Sequence, residues 1–160
     1  MASDMFIKIE DIEGESADSE HASEIDVLAF SWGASQNGTM HTGTGGGAGK
    51  VDVQDLSFTK WVDKASPRLM LAVCNGKHMG EAVLAARKAG ERPLEYFKIT
   101  MKDVIVTSVS TGGSDDEDLL TETVTLNFGK VKVGYTPQKA DGSGDAEVEM
   151  GWDIAANKEI

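Results

Sequence analysis

The segment from Val51 to His78 constrains the fold most, because an alternating strand pattern leads there into the one well-marked helix of the chain. Ser66 can cap that helix, Pro67 suits its first turn, and Gly76 can end it in a left-handed conformation. Apolar side chains at helical spacing form the stripe that should face the core: Leu69, Met70, Val73 and Cys74. We therefore expect a short helix packed on a β-rich core, with the Cys74 thiol buried and inert.

Alternating apolar and polar residues predict strands over most of the remaining chain. The strand-like segments are residues 5–9, 25–33, 94–110, 120–135 and 146–154. In the second of these segments, the apolar phase places Leu28, Phe30 and Trp32 towards the core. The opposite phase places Ala29 and Ser31 on the other face of the same strand.

Two long strand patterns change their apolar phase part-way along, near Asp103 and at Gly129, as a β-bulge or a barrel corner would cause. The segment Glu81–Ala89 is ambiguous, because its alanines favour a helix while its alternation permits a strand. We expect about seven or eight strands and one helix in a single domain over residues 1–160. The bends favour a small barrel or a strongly curved sandwich over a flat sheet.

The charge of the chain argues against several partners. The 27 acidic and 15 basic residues give a formal charge of −12, which opposes binding to nucleic acid and to anionic membranes. The longest apolar run, Leu69–Cys74, is far shorter than the ~20 residues of a membrane-spanning helix. The first residues, MASDMFIKIEDIEGES, contain no apolar core of signal-peptide length, so we expect no cleavable signal peptide.

A glycine-rich loop separates the second strand pattern from the next one, and it invites comparison with phosphate-binding loops. It does not fit a Walker A motif, because Thr44 stands where a glycine is required and Val51 follows the lysine. It also does not fit a dinucleotide fingerprint, since a strand pattern rather than a helix follows. We interpret it as a flexible or contact-forming loop and expect no cofactor.

The histidines His21, His41 and His78 are far apart in the sequence, whereas zinc ligands usually come in close pairs. Cys74 and His78 have helical spacing, but Gly76 should end the helix between them. We therefore expect no metal site. No nucleophile, base and stabilising group form a pattern that would indicate an enzyme.

Two charged segments have structural interpretations. The acidic run Asp115–Asp118 lacks the ligand alternation of a calcium loop, so we expect a solvated hairpin tip. Lys60, Asp63 and Lys64 precede the helix and could form exposed ion pairs that fix its entry, each contributing only ~0–1 kcal/mol.

Several segments together carry a family resemblance: MFIKIEDIEGES, EIDVLAFSWG, GTGGGAGKVDVQDLSFTKWVDKASP, VSTGG, LTETVTLNF and GYTPQKADG. Their order and spacing resemble the Hcp (haemolysin-coregulated protein) family of bacterial type VI secretion systems over nearly the whole chain. The resemblance implies a mainly β fold, namely a small closed β-barrel of two sheets with one flanking short α-helix. It also implies a strand for Glu81–Ala89.

The resemblance further implies a structural subunit rather than an enzyme. Hcp proteins form homohexameric rings that stack head to tail into a tube, inside a contractile sheath and behind a spike-tip protein. The tube leaves the bacterial cytoplasm through this machine without a cleavable signal peptide. The rings also carry and protect small effector proteins in their lumen.

This resemblance gives two sets of candidate residues a role. Ala29 and Ser31 become candidates for the lumen wall, although such small residues could equally pack against a neighbouring element. The glycine loop becomes a candidate contact with a neighbouring subunit or ring, and its residues are Gly43, Thr44, Gly45, Gly46, Gly47, Ala48, Gly49 and Lys50.

Two alternatives use the same barrel, namely a secreted effector enzyme and a small-ligand-binding protein. Only DIAANKEI follows Trp152, which is too short for an added effector domain. A ligand-binding barrel would need an apolar internal cavity.

Overall fold

The computed structural model describes residues 3–41, 43, 45–91 and 93–160. The elements are β1 (Ser3–Ile9), β2 (Ile25–Val27), β3 (Ala29–Ser31), β4 (Ala34–Ser35), β5 (Asp52–Val53), β6 (Leu56–Trp61), α1 (Ser66–Asn75), β7 (Met79–Lys88), β8 (Leu94–Gly112), β9 (Thr121–Tyr135), β10 (Val148–Asp153) and β11 (Lys158–Glu159). The predicted fold class is confirmed: the chain is mainly β, with a large sheet, a two-stranded sheet of β4 and β5, and one short helix. Glu81–Ala89 lies almost wholly in β7, so the strand prediction for this segment is confirmed.

The strand pairs of the large sheet form a continuous circuit. β9 pairs with β8, β8 with β7, β7 with β1, and β1 with β2. β3 continues from β2 after a bend and pairs with β6, which pairs in turn with β9. At the bend, Leu28 N donates to Thr59 O over 2.8 Å. The circuit surrounds the apolar core, and β10 and β11 extend it beyond β9.

In three adjacent strands, β7, β8 and β9, the side of the strand that faces the core changes part-way along. The change, which we call the switch, occurs at positions that lie next to one another across the sheet. Two residues, rather than the usual one, separate the buried positions on either side of the switch, which lie at Met79 and Ala82, Met101 and Val104, and Phe128 and Val131. Gly80, Asp103 and Gly129 occupy the switch, and Asp103 has a φ of 56°. The phase changes near Asp103 and at Gly129 are therefore confirmed.

A bulge near Asp103 is not the cause of this switch. The pairing of β8 with β9 keeps its register across Asp103, because both strands switch face together. The register shift in this pair lies further along, between Val106 and Ser108. The switch divides the large sheet into two parts. The first half of β9 pairs with β6, which pairs with β3, and the second half of β9 pairs with β10.

The helix α1 packs its apolar side on the core through Leu69 and Ala72, and Gly76 ends it at a φ of 65°, as predicted. The predicted capping by Ser66 is wrong. Ala65 occupies the N-cap position, and the Ser66 hydroxyl instead accepts a hydrogen bond from Lys60 Nζ over 3.1 Å. That hydroxyl also donates to Glu122 Oε1 over 2.6 Å, so it joins the helix to the sheet.

Other side chains at the helix also differ from expectation. Cys74 and Met70 are exposed, because the helix buries only a narrow stripe of side chains. Lys60 is fully buried, and its Nζ lies 2.5 Å from Glu122 Oε1 and 2.9 Å from Asp63 Oδ1. Lys60 does form ion pairs before the helix, but these pairs are buried, so the expectation that they would be exposed is wrong.

The bend between β2 and β3 changes which side chains reach the core. Leu28 lies at the bend and is exposed, so its predicted core position is wrong, whereas Val27 is buried. Beyond the bend, Phe30 and Trp32 are partly buried against the core, as predicted. No helix in the described part of the chain is both long enough and apolar enough to cross a membrane.

Candidate assembly surfaces

A band of small, uncharged side chains crosses four neighbouring strands on the outer face of the barrel. Directly opposite residues in antiparallel strands point to the same side, so the register places these side chains together. This hydroxyl face consists of Ala29, Ser31, Ser57, Thr59, Thr123, Thr125, Ser108 and Ser110. Ala29 and Ser31 are both exposed at its β3 edge. The two sequence-predicted lumen candidates thus belong to a larger continuous surface.

The residues behind the hydroxyl face form the core. Phe30 lies opposite Phe58, Phe58 opposite Val124, and Val124 opposite Val109. Since strand residues alternate between the two faces, burial of this apolar row turns the hydroxyl row outwards. At one end of the face, Asp55 accepts hydrogen bonds from the Thr107 hydroxyl at 3.1 Å and the Asn127 amide at 2.8 Å.

The glycine loop forms the tip of a hairpin that extends from one end of the barrel. At its base, β4 pairs with β5, and further out Gly38 forms a bridge with Ala48. Thr39 N donates to Gly47 O over 2.9 Å. Gly45 has a φ of 86°, a conformation that favours glycine. Of the predicted contact loop, Thr44 lies outside the described residues.

An apolar groove of about 310 Å³ lies where this hairpin meets the barrel. Its apolar walls come from Trp32, Val51, Val53, Met150 and Trp152. Trp32 Nε1 donates to Gln54 O over 2.9 Å, which fixes one wall of the groove to the hairpin base. The groove and the hairpin tip together form one end of the molecule, which we call the hairpin end.

Exposed apolar side chains lie at the other end of β6 from the hairpin end. The strand spans five residue steps from Leu56 to Trp61, which corresponds to about 17 Å. The exposed side chains are Trp61, Val62, Leu119 and Leu120. Val62 N donates to Leu120 O over 2.8 Å, so the segments after β6 and before β9 lie side by side. We call this cluster the apolar end. The two ends therefore present different surfaces.

The outer face of β8 and β9 beyond the switch carries a lysine patch of Lys98, Lys102, Lys130 and Lys132, all exposed. Lys102 lies directly opposite Lys130 in the strand register. Lys102 also contacts Glu81 over 2.8 Å, and this hydrogen bond raises the pKa of Lys102. In a chain with a formal charge of −12, such a patch is a local concentration of positive charge.

An acidic groove of about 340 Å³ lies at β1 and β2, in the same sheet as the lysine patch. Asp4, Asp18 and Asp26 line it together with Phe6. Arg87 forms ion pairs with Asp18 and Asp4, so one positive charge offsets part of the three negative charges. Partial burial, and then the charges of Asp63, Asp18 and Asp4, raise the pKa of Asp26. The groove and the lysine patch are about three strand positions apart, or roughly 14 Å. The strand register places both on the face of the sheet that points away from the core.

Comparison with known proteins identifies the family. The model of the family described as "Type VI secretion system effector, Hcp" matches residues 6–135. The chain belongs to the Hcp family. This Hcp chain is 63% identical over 159 residues to Protein hcp1 of Pseudomonas aeruginosa, covering 98% of both chains.

Solved structures agree with this assignment. Hcp1 from Salmonella typhimurium is 40% identical, with a TM-score of 0.80 and full coverage of both chains. A type VI secretion system effector from Yersinia pestis is 36% identical, with a TM-score of 0.78 over 94% of this Hcp chain and all of that one. A further type six secretion system protein is 31% identical, with a TM-score of 0.94 over 99% of this chain and all of its own.

Sequence reasoning found two residues of the hydroxyl face and missed the others. Those residues come from β6, β8 and β9, and only the strand register brings them beside β3. Their signal in the sequence is the run of alternating serines and threonines in these strands. The lysine patch and the acidic groove were missed for the same reason, because each combines residues of two strands.

Proposed function

We propose that this Hcp chain is a structural subunit of homohexameric rings that stack head to tail into the type VI secretion tube. Membership of the family supports a ring-forming protein. The observation that carries the proposal is the pair of oppositely charged surfaces on different strands, the lysine patch and the acidic groove. A ring in which every subunit contacts the next through unlike surfaces needs such a pair.

Within a ring, the lysine patch of one subunit would contact the acidic groove of its neighbour. Lys130 and Lys132 are exposed and long enough to reach into a groove lined by Asp4, Asp18 and Asp26. Complementary charges orient subunits and select the correct contact more than they add affinity. The same contact repeated around the ring would bring opposite charges together in a strongly acidic protein.

Between rings, the hairpin end of one ring would contact the apolar end of the next. Met40 near the hairpin tip is 80% exposed, and the groove below it has apolar walls. The apolar end supplies matching side chains at Trp61, Val62 and Leu120. Burial of apolar surface would favour the stack. The glycine loop, Gly43 to Lys50, lies at this proposed ring-to-ring contact.

The hydroxyl face is the proposed lumen wall, with Ala29 and Ser31 at its edge. Its side chains are small and uncharged, so they leave room for small effector proteins and offer hydrogen bonds to them. The further partners in this proposal are the contractile sheath and the spike-tip protein. The subunit is assembled in the bacterial cytoplasm and then exported without a cleavable signal peptide.

Negative-stain electron microscopy and size-exclusion chromatography test the ring. We expect six-fold rings from the purified chain. Reversing two charges of the patch, in K130E/K132E, should release monomers, because like charges would then face each other across the contact. Reversing two exposed lysines elsewhere, in K77E/K139E, changes the net charge equally and should keep the ring.

Rings that survive K130E/K132E unchanged would contradict the proposed side contact. Absence of rings from the wild-type chain at every protein and salt concentration would contradict the proposed function as a whole.

The lumen assignment is tested by substituting a bulky residue at Ser31. In S31W, we expect the hexamer to persist while co-purification of a small effector falls at least several-fold. A bulky residue at an exposed position outside the hydroxyl face, in K139W, is the matched control. Unchanged effector retention in S31W would count against the lumen assignment.

A further inference from the structure

His21 is a buried histidine beside the acidic groove. It belongs to the connection between β1 and β2, it is only 7% exposed, and its ring stacks on Phe6 with 4.4 Å between the centroids. Its Nδ1 atom lies 2.9 Å from Glu24 Oε2. An ionised carboxylate can only accept, so Nδ1 carries the proton in this contact. In the neutral imidazole, the other ring nitrogen, Nε2, has a lone pair.

The Nε2 atom faces two further carboxylates. Glu95 Oε1 lies 2.5 Å away, and Glu20 offers a second oxygen, so that the ligand atoms of His21, Glu20 and Glu95 all lie within 4.8 Å of one another. Nε2 makes no hydrogen bond of acceptable geometry. When the imidazole is neutral, a buried lone pair meets carboxylate oxygens with no proton between them, an arrangement that a bound cation stabilises.

We propose that His21, Glu95 and Glu20 form a binding site for a divalent metal ion of the zinc class. Imidazole nitrogen combined with carboxylate oxygen is a donor set that zinc accepts, and three protein ligands leave a fourth position for water. Glu24 holds the imidazole by the contact that carboxylates commonly make with a metal-bound histidine. The site adjoins the acidic groove, because Phe6 and Asp18 of the groove both contact His21. The inference does not depend on the proposed function.

The geometry requires only small movements. Two ligand atoms that bind one zinc ion at about 2.1 Å lie roughly 3.4 Å apart in a tetrahedral site, so the gap between His21 Nε2 and Glu95 must widen by less than about 1 Å. The Glu95 and Glu20 side chains are 32% and 69% exposed and can adjust. His21 itself is fixed by Phe6 and Glu24.

Among the described residues, Arg87 is a cation that contacts this cluster, and its Nη1 lies 3.9 Å from Glu20 Oε2. Arg87 is already engaged by Asp18 and by Asp4, and its guanidinium lies over the Phe6 ring. Arg87 therefore competes for Glu20 but not for Glu95. We expect Glu20 to be the weakest of the three ligands. The bound ion would join the connection between β1 and β2 to the start of β8.

The test is isothermal titration of the purified, metal-free full-length chain with Zn²⁺ alone, with Co²⁺ absorption as an independent report on the ligands. We expect one ion per chain. The double variant H41Q/H78Q, which removes the other histidines at exposed positions, should bind as the wild type does. E95Q should weaken binding at least tenfold, E20Q should weaken it less, and H21Q should abolish it.

Circular dichroism verifies that each variant is folded. Because H21Q changes a buried side chain and can itself destabilise the fold, E95Q at the partly exposed Glu95 provides an independent test. Binding that is lost in H41Q/H78Q but retained in E95Q would overturn the proposal. So would the absence of binding to the wild-type chain at 100 μM Zn²⁺ (roughly −5.5 kcal/mol at half-saturation).

Discussion

At the scale of the residue, Glu122 shows how contacts outweigh burial. Burial raises the pKa of its carboxyl. Hydrogen bonds from Lys60 and Ser66, the charge of Lys60 and a hydrogen bond from Thr111 together lower the pKa by more than burial raises it, so it lies below the ordinary value of 4.5. A group with a depressed pKa in the folded state stabilises the protein above its unfolded pKa. That contribution is lost as the pH falls through the folded pKa.

Substituting Lys60 by Met should lower the free energy of unfolding by about 3–5 kcal/mol, because Glu122 and Asp63 would then lack their buried cation. Urea unfolding measures this loss. The double variant K60M/E122L removes both buried charges and should lose less than K60M alone. As a control, K77M breaks the exposed Lys77–Asp11 pair and should cost under about 1 kcal/mol. Equal, small losses in K60M and K77M would contradict the account.

At the scale of the element, the switch of face across β7, β8 and β9 depends on residues that tolerate unusual backbone. Asp103 has a φ of 56°, a left-handed conformation that short polar side chains and glycine adopt more readily than branched ones. A Cβ at the neighbouring Gly129 would make only an ordinary contact of 3.4 Å with Asp103 Cβ, so the backbone strain of the switch is at Asp103. Because of the switch, the long strand β9 pairs with β6 in its first half and with β10 in its second half.

Replacing Asp103 by Val should therefore destabilise the fold by about 1–2 kcal/mol, the cost of left-handed backbone for an ordinary residue. D103N should have an effect within about 0.5 kcal/mol, because Asn accepts this conformation. K98V, at an exposed position of β8 outside the switch, controls for the introduction of a branched residue. Thermal or urea unfolding measures all three, and a D103V protein as stable as D103N would be inconsistent with backbone strain at Asp103.

The sequence predicted those elements whose signals are local. Gly76 and Gly129 were identified correctly, because helix stops and phase changes are visible in neighbouring residues. Leu28 was assigned wrongly because the bend between β2 and β3 interrupts an alternation that looks continuous in sequence. Cys74 was assigned wrongly because helical spacing does not reveal how narrow a stripe the sheet covers.

Residues brought together by strand pairing were beyond sequence reasoning. The sequence placed Ser31 on the strand face that points away from the core. Ser57, Thr125 and Ser108 lie beside it only because of the register of three strand pairs. The contact of His21 with Glu95 has the same origin, since it joins the connection after β1 to β8. One sequence without related sequences contains no direct record of such pairings.

At the scale of the whole molecule, the formal charge of −12 acts on the proposed assembly. Six copies would carry six times this charge, a formal −72 per ring. Rings that approach end to end would repel each other over a Debye length of about 8 Å at physiological salt. The proposed contact between the lysine patch and the acidic groove would act within a ring, and it is separate from this overall repulsion between rings.

Raising the salt concentration should therefore lengthen the stacks of rings in vitro, because screening weakens the repulsion between them. Light scattering measures the length of the assemblies. A native gel at each salt concentration verifies that the rings themselves remain intact. Longer assemblies at low ionic strength than at high would disprove this prediction.

The hydroxyl face has a consequence for how cargo would leave a ring. Each hydroxyl can donate and accept, much as water does, so a passing protein exchanges one set of hydrogen bonds for another at a net gain of only about 0.5–1.5 kcal/mol each. A neutral wall also attracts acidic and basic proteins alike. Under the proposed assembly, retention would rest on enclosure rather than on tight binding. Cargo would then diffuse away once the tube comes apart, with no chemical trigger for release.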